Sequence, residues 1–169
     1  MRLKIGIISS RGGHLTQALT VLEAFKGHDC FLIIQKFPSV ANFNHVQVRK
    51  LYYLKVFSNY GRRIRISRNF NLFPGIYFTL FRNSFQILKI FLTEKPDVLF
   101  SIGPEVAVIA FYIGKFLFKT KLIFLESVTR IKDISLTGKI VMPITDLFLV
   151  QHNDLTKKYK KASFWGSLI

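Results

Sequence analysis

A single cysteine, Cys30, stands in a chain of 169 residues, so no disulfide can form within it and no oxidising compartment is implied. It reads as a small core residue at the start of a strand. Acids are scarce too: 9 Asp and Glu face 25 Lys and Arg, leaving a net charge of +16. Such a field suits nucleic acid, anionic lipid head groups or phosphorylated substrates. No stretch reaches the roughly 20 uninterrupted apolar residues of a membrane-spanning helix. Val106 to Ile113 is closed by Gly114 and Lys115, and Phe73 to Leu92 is broken by Arg82 and Lys89. The chain opens without the basic and small-residue segments of a secretory leader, which predicts a cytosolic protein. Internal repeats and low-complexity segments are also missing.

Two further absences argue against dinucleotide binding. The first strand is not followed by Gly-x-Gly-x-x-Gly, and the second ends in Gln35 where an acid would take the ribose. No His, Cys, Asp or Glu cluster has metal-ligand spacing, so neither a metal nor another cofactor is expected.

What is present is apolar. Half of the residues are hydrophobic and 18 are Phe, enough for one domain over residues 1–169 with apolar surface left for a membrane or a partner. Between residues 51 and 95, Lys55, Arg62, Arg63, Arg65, Arg68, Arg82, Lys89 and Lys95 face Glu94 alone, interleaved with Phe and Tyr. Arg62, Arg63, Arg65 and Arg68 with Phe70 and Phe73 form the expected membrane surface, guanidinium groups on phosphates and rings in lipid.

Strand and helix patterns alternate, predicting an α/β fold. Strands are expected at Lys4 to Ser9, Cys30 to Gln35, Val46 to Leu51 or Tyr52 to Val56, Val98 to Ile102, Lys121 to Leu125 and Asp146 to Gln151. Helical spacing follows Leu15, closing at Gly27; it resumes from Pro74, where Thr79, Arg82, Asn83, Gln86, Lys89 and Thr93 form a thin polar stripe read as a wet face. A short helix runs from Ser135 to about Val141, and Asn153 reads as the N-cap of another whose end is crowded by Lys157, Lys158, Lys160 and Lys161. Phe164 to Ile169 reads as an apolar tail that packs back or docks elsewhere.

Open α/β sheets bind ligands at the carboxyl ends of their strands. Three polar loops are predicted there. The first is Ser9 to Gln17, in which Gly12 and Gly13 turn backbone amides toward an anion at a helix start, flanked by Arg11 and His14. The second is Gly103-Pro104-Glu105, with Glu105 at a helix N-terminus. The third is Glu126-Ser127-Val128-Thr129-Arg130, whose Glu126 and Arg130 read either as a local ion pair or as groups of the site.

With these loops in view, the chain resembles the membrane-associated subunit of the two-subunit UDP-N-acetylglucosamine transferase of dolichol-linked oligosaccharide synthesis, the fourteenth member of the asparagine-linked glycosylation series. It is similar as well to prokaryotic relatives in capsule and exopolysaccharide synthesis. The matching residues are Ser10 with Gly12-Gly13-His14-Leu15, Pro96-Asp97-Val98 leading to Ser101-Ile102-Gly103, Glu126-Ser127 with Arg130, and Ser135 to Lys139; Asp146 to Gln151 and Trp165-Gly166 extend the match. Arg11 and His152 depart from the pattern, and the N-terminal spanning helix of eukaryotic members is missing.

The resemblance implies the Rossmann-like N-terminal half of a GT-B glycosyltransferase. It also implies a polyprenyl-diphosphate-sugar acceptor, a separate donor-binding subunit without which this one is inactive, and peripheral attachment to an anionic membrane from the cytoplasmic side. On that reading Arg11, Gly12, Gly13, Gly103, Glu105, Ser127 and Arg130 bind substrate, His14 and Glu126 are the candidate catalytic groups, and Phe164 and Trp165 meet the partner subunit. A basic nucleic-acid-binding protein and a self-sufficient transferase on a phosphorylated small molecule are the alternatives; no nucleic-acid docking motif is present.

Overall fold

A computed structural model describes residues 1–10, 12–36, 48–55 and 74–168. In chain order they form β1 (Lys4–Ser9), α1 (Gly13–Leu22) with a 3-10 turn over Glu23–Phe25, β2 (Asp29–Lys36), β3 (Lys50–Lys55), α2 (Pro74–Glu94), β4 (Val98–Ser101), α3 (Val106–Phe118), β5 (Lys121–Leu125), α4 (Leu136–Val141), β6 (Leu147–Val150), α5 (Asp154–Lys158) and β7 (Ala162–Phe164). The strands make one sheet in the order β3-β2-β1-β4-β5-β6-β7, parallel throughout. Strand order reverses between β1 and β4, which opens a crevice at their carboxyl ends.

The apolar runs become strands because both faces of the sheet are covered. On one face Ile5, Ile7, Leu32, Ile34 and Phe100 pack against Ala18 and Leu22 of α1. On the other, Phe31, Ile33, Leu99, Phe124 and Phe148 pack against Phe91 of α2 and Ala107 and Phe111 of α3. Cys30 is buried, as expected, and burial pushes its thiol up ahead of the neighbouring Asp29 charge. No helix among the described residues is long and apolar enough to cross a membrane.

The sequence-based expectations need correcting in three places. β3 covers Lys50–Lys55, straddling both predicted segments, because its register is set by pairing with β2, Phe31 opposite Lys50. A seventh strand, Ala162–Phe164, too short to show an alternation, precedes the tail and takes only Phe164 from it, while Leu168 packs back against the core. The polar stripe of α2 is wet only in part: Lys89 and Thr93 are exposed, but Asn83 is fully buried and donates to the Lys55 carbonyl at 2.9 Å, and Gln86 donates to the Tyr53 carbonyl at 2.7 Å. Among the described residues β3 is the outermost strand, and these carbonyls accept from amide side chains of α2 in place of a neighbouring strand.

Candidate functional site

The loop after β1 leads straight into α1. Gly12 has φ +70°, a left-handed backbone that favours glycine, and its carbonyl accepts from Leu15 N at 2.9 Å and Thr16 N at 3.1 Å. The turn places His14 in the first turn of α1, four residues after Ser10, and Ser10 Oγ shares a 2.7 Å hydrogen bond with His14 Nδ1. One ring nitrogen is thereby held and the other faces Gly103.

That second nitrogen meets the loop after β4. Gly103 has φ +74°, and a Cβ on it would sit 3.0 Å from His14 Nε2. The bare glycine lets the two loops approach. Next to it Glu105, at the start of α3, accepts a 3.0 Å hydrogen bond from Gln35 Nε2 at the end of β2. Burial lowers the pKa of His14 below its ordinary 6.5; the carboxylates of Glu126 and Glu105 pull it up, and Arg130 pushes it down. Burial wins, and the balance favours the neutral ring over the imidazolium.

The loop after β5 is held from within. Glu126 is 1% exposed, and its carboxylate accepts from Ser127 N at 3.0 Å, Ser135 N at 2.8 Å and Ser135 Oγ at 3.0 Å. Ser135 Oγ in turn accepts from Gly138 N at 2.9 Å, capping α4, and a Cβ on Gly138 would come within 2.5 Å of Glu126 Oε2. The Glu126–Arg130 ion pair considered from sequence is not formed: Arg130 is exposed, and both Glu126 oxygens are taken by loop donors. Ser127 is buried and shares a 3.1 Å hydrogen bond with Thr129.

Two glutamines join these loops, and sequence reading passed over both as functional residues. Gln17 Nε2 donates to Gly13 O at 3.2 Å, while its Oε1 accepts from Gln151 Nε2 at 2.8 Å and from Val128 N at 3.4 Å. Gln151 also donates to Glu126 O at 3.0 Å and accepts from Leu168 N at 3.0 Å. Their sequence signals were the end of the first predicted loop, Ser9 to Gln17, and the end of the matching run Asp146 to Gln151, neither of which assigned them a role.

Of the predicted site residues, Gly12, Gly103, Glu105, Glu126, Ser127 and Arg130 fall on loops, and Gly13 and His14 on the first turn of α1, at the same sheet edge. Phe164 ends β7 and Trp165 follows it, 74% exposed. Arg11, Arg62, Arg63, Arg65, Arg68, Phe70 and Phe73 lie outside the described residues. No group of three or more His, Cys, Asp or Glu able to hold a metal ion occurs among the described residues.

A family model, "Oligosaccharide biosynthesis protein Alg14 like", matches residues 5–168. A Schizosaccharomyces pombe "UDP-N-acetylglucosamine transferase subunit alg14" is 47% identical over 75 residues, 42% of this chain and 36% of that protein. The human subunit ALG14 is 25% identical over 183 residues, covering 99% of this chain and 83% of its own. The chain spans 36% to 38% of the length of three fungal relatives that it matches at 37% to 47% identity. Among solved structures, Acinetobacter baumannii MurG superposes with a TM-score of 0.64 at 14% identity, over 88% of this chain and 41% of its own. UDP-N-acetylglucosamine 2-epimerase from Rickettsia bellii does so with 0.66 at 12% identity, over 99% of this chain and 45% of its own. The fold is the Rossmann-like half seen in GT-B proteins.

Proposed function

The chain belongs to the Alg14-like family of oligosaccharide biosynthesis proteins, and on that footing we propose that it is the acceptor-side subunit of a two-component glycosyltransferase. Its substrate is a sugar carried on a polyprenyl diphosphate, and its partner is a second subunit that brings a UDP-sugar. The observation that carries this reading is the pinned His14, held by Ser10 on one nitrogen and facing Gly103 with the other, at the reversal point of the sheet.

Gly12, Gly13 and Arg11 hold the diphosphate through backbone amides at the α1 N-terminus and a guanidinium group. Glu105, Gly103, Ser127 and Arg130 frame the acceptor sugar. His14 Nε2 takes the proton from the attacking hydroxyl as its oxygen bonds to the anomeric carbon of the donor and UDP departs. Glu126, the other candidate, is closed in by three donors, and we assign it the positioning of the loop that carries Ser127 and Arg130. Phe164 and Trp165 face the donor-side subunit. The chain works peripherally, on the cytoplasmic face of a membrane.

The test is to co-express the chain with the neighbouring reading frame, purify the pair from membranes, and assay sugar transfer by each protein alone and together. Transfer by the pair only, abolished by His14→Ala without loss of the complex, is expected. Full activity of His14→Ala removes that residue from the chemistry, and full activity of the isolated chain removes the two-component reading.

A further inference from the structure

The two faces of the sheet wear different skins. The exposed residues of α1 include Thr16 and Thr20, followed by Glu23. On the other face, α2, α3 and α4 lie side by side, each carrying an i,i+4 apolar pair toward solvent: Phe81 and Phe85, Tyr112 and Phe116, Leu136 and Ile140. Phe81 and Leu136 are each 74% exposed and Phe116 is 66% exposed. The Tyr112 and Phe116 rings are 5.9 Å apart, and Tyr112 Oη donates to the Ile140 carbonyl at 3.4 Å, so α3 and α4 share one apolar surface. Helices that pack only inward do not repeat such pairs on the outer side.

Charge selects what covers this surface. The three helices carry Arg82, Lys89, Lys115 and Lys139 and a single acid, Glu94, which is 2% exposed; Lys115 is paired with Asp146 and Lys139 with Asp133, both outside these helices, so the cations beside the α2 pair are Arg82 and Lys89. Lys89 Nζ stands 4.8 Å from the centroid of the exposed Phe85 ring, a cation beside an apolar anchor. A second copy would bring +16 against +16. Apolar anchors among cations fit an interface of acyl chains and anionic head groups.

We propose that the outer surface of α2, α3 and α4 is where this protein docks on an anionic lipid bilayer. The assignment deepens the membrane-side reading above and rests on it for biological context, while vesicle binding is measured without any transfer chemistry.

The experiment floats the full chain with vesicles of phosphatidylcholine alone, or with roughly one third phosphatidylglycerol, at about 0.1 M salt. Flotation with the anionic vesicles is expected, falling about tenfold or more in a Phe81→Ser, Phe85→Ser, Phe116→Ser variant and unchanged in Trp165→Phe. A reporter independent of that variant's folding is Phe116→Trp in the Trp165→Phe background, which removes the only other tryptophan. Its emission should shift to the blue with anionic vesicles. Flotation without that shift, undiminished flotation of the triple variant, or no flotation at all overturns the proposal, as does a dimer that the triple variant converts to monomer. Equally, a donor-side subunit that shields the reporter where vesicles do not makes the surface a protein interface and overturns it. His14→Ala should still float, and the triple variant should still transfer sugar to a detergent-solubilised acceptor. Loss of either result separates failure of the docking surface from failure of the transferase reading.

Discussion

The two edges of the sheet are held together by opposite chemistry. At the amino edge the scarce carboxylates serve as clamps. Asp97 accepts from Lys4 N at 2.8 Å and Asp146 from Leu122 N at 2.9 Å, while Glu94, 2% exposed, joins Arg49 and Tyr52 across α2 and β3. Burial alone would raise the carboxyl of Glu94, but hydrogen bonds from Tyr52 and Arg49 outweigh it and hold it below the usual range. At the carboxyl edge the joints between loops are mostly neutral: Ser10 with His14, Gln17 with Gln151, bare glycine against imidazole. The two acids that do stand at this edge, Glu105 and Glu126, accept from neutral donors, Gln35 and the loop's own Ser127 and Ser135, rather than from cations.

The largest effect that tests this contrast is at the carboxyl edge. His14→Ala should lower transfer by the reconstituted pair about a hundredfold or more, with thermal stability little changed. Equal losses of activity and stability would place His14 among the clamps. Glu126→Ala is next: three donors lose a buried acceptor, which should cost about 3 kcal/mol and lower Tm by roughly 6–12 °C. Glu126→Gln sharpens it, since a positioning role predicts that activity and Tm fall together, whereas loss of activity at unchanged Tm would make Glu126 a proton acceptor.

At the other edge, Glu94→Ala should cost about 2 kcal/mol, roughly 4–8 °C in Tm, and leave transfer by the folded fraction unchanged. Its partner Arg49 is partly exposed, which keeps the figure below that of a fully buried pair. The smallest effect concerns pH. Folding lowers the pKa of His14, so the folded state binds that proton less readily than the unfolded chain. Its contribution to stability is intact above the ordinary value of 6.5 and falls as pH drops from there toward the folded value. Transfer should follow, with an acid limb whose midpoint lies below 6.5; a midpoint above it would mean that the Glu126 and Glu105 charges dominate the ring.

Legibility followed the same division. Lys4–Ser9 and Lys121–Leu125 were readable to the residue because both are apolar runs cut by polar punctuation, and burial on two faces needs no knowledge of neighbours. The three loops of the site were readable because turn chemistry is local. Pairings across the fold were not: Gln35 with Glu105, separated by 70 residues, and Gln17 with Gln151, separated by 134, depend on which strands adjoin. Asn83 and Gln86 misled for the same reason, since a polar stripe on a helix looks alike whether it faces water or the carbonyls of an outermost strand.

Those amides have a wider consequence. A chain half hydrophobic whose sheet ends, among the described residues, on β3 and β7 is at risk of polymerising edge to edge in concentrated solution. An incoming strand at the β3 flank would find Tyr53 and Lys55 already engaged, and at the opposite flank β7 offers only three residues as a template. Replacing Asn83 and Gln86 with leucines would preserve the helix while inviting fibrils.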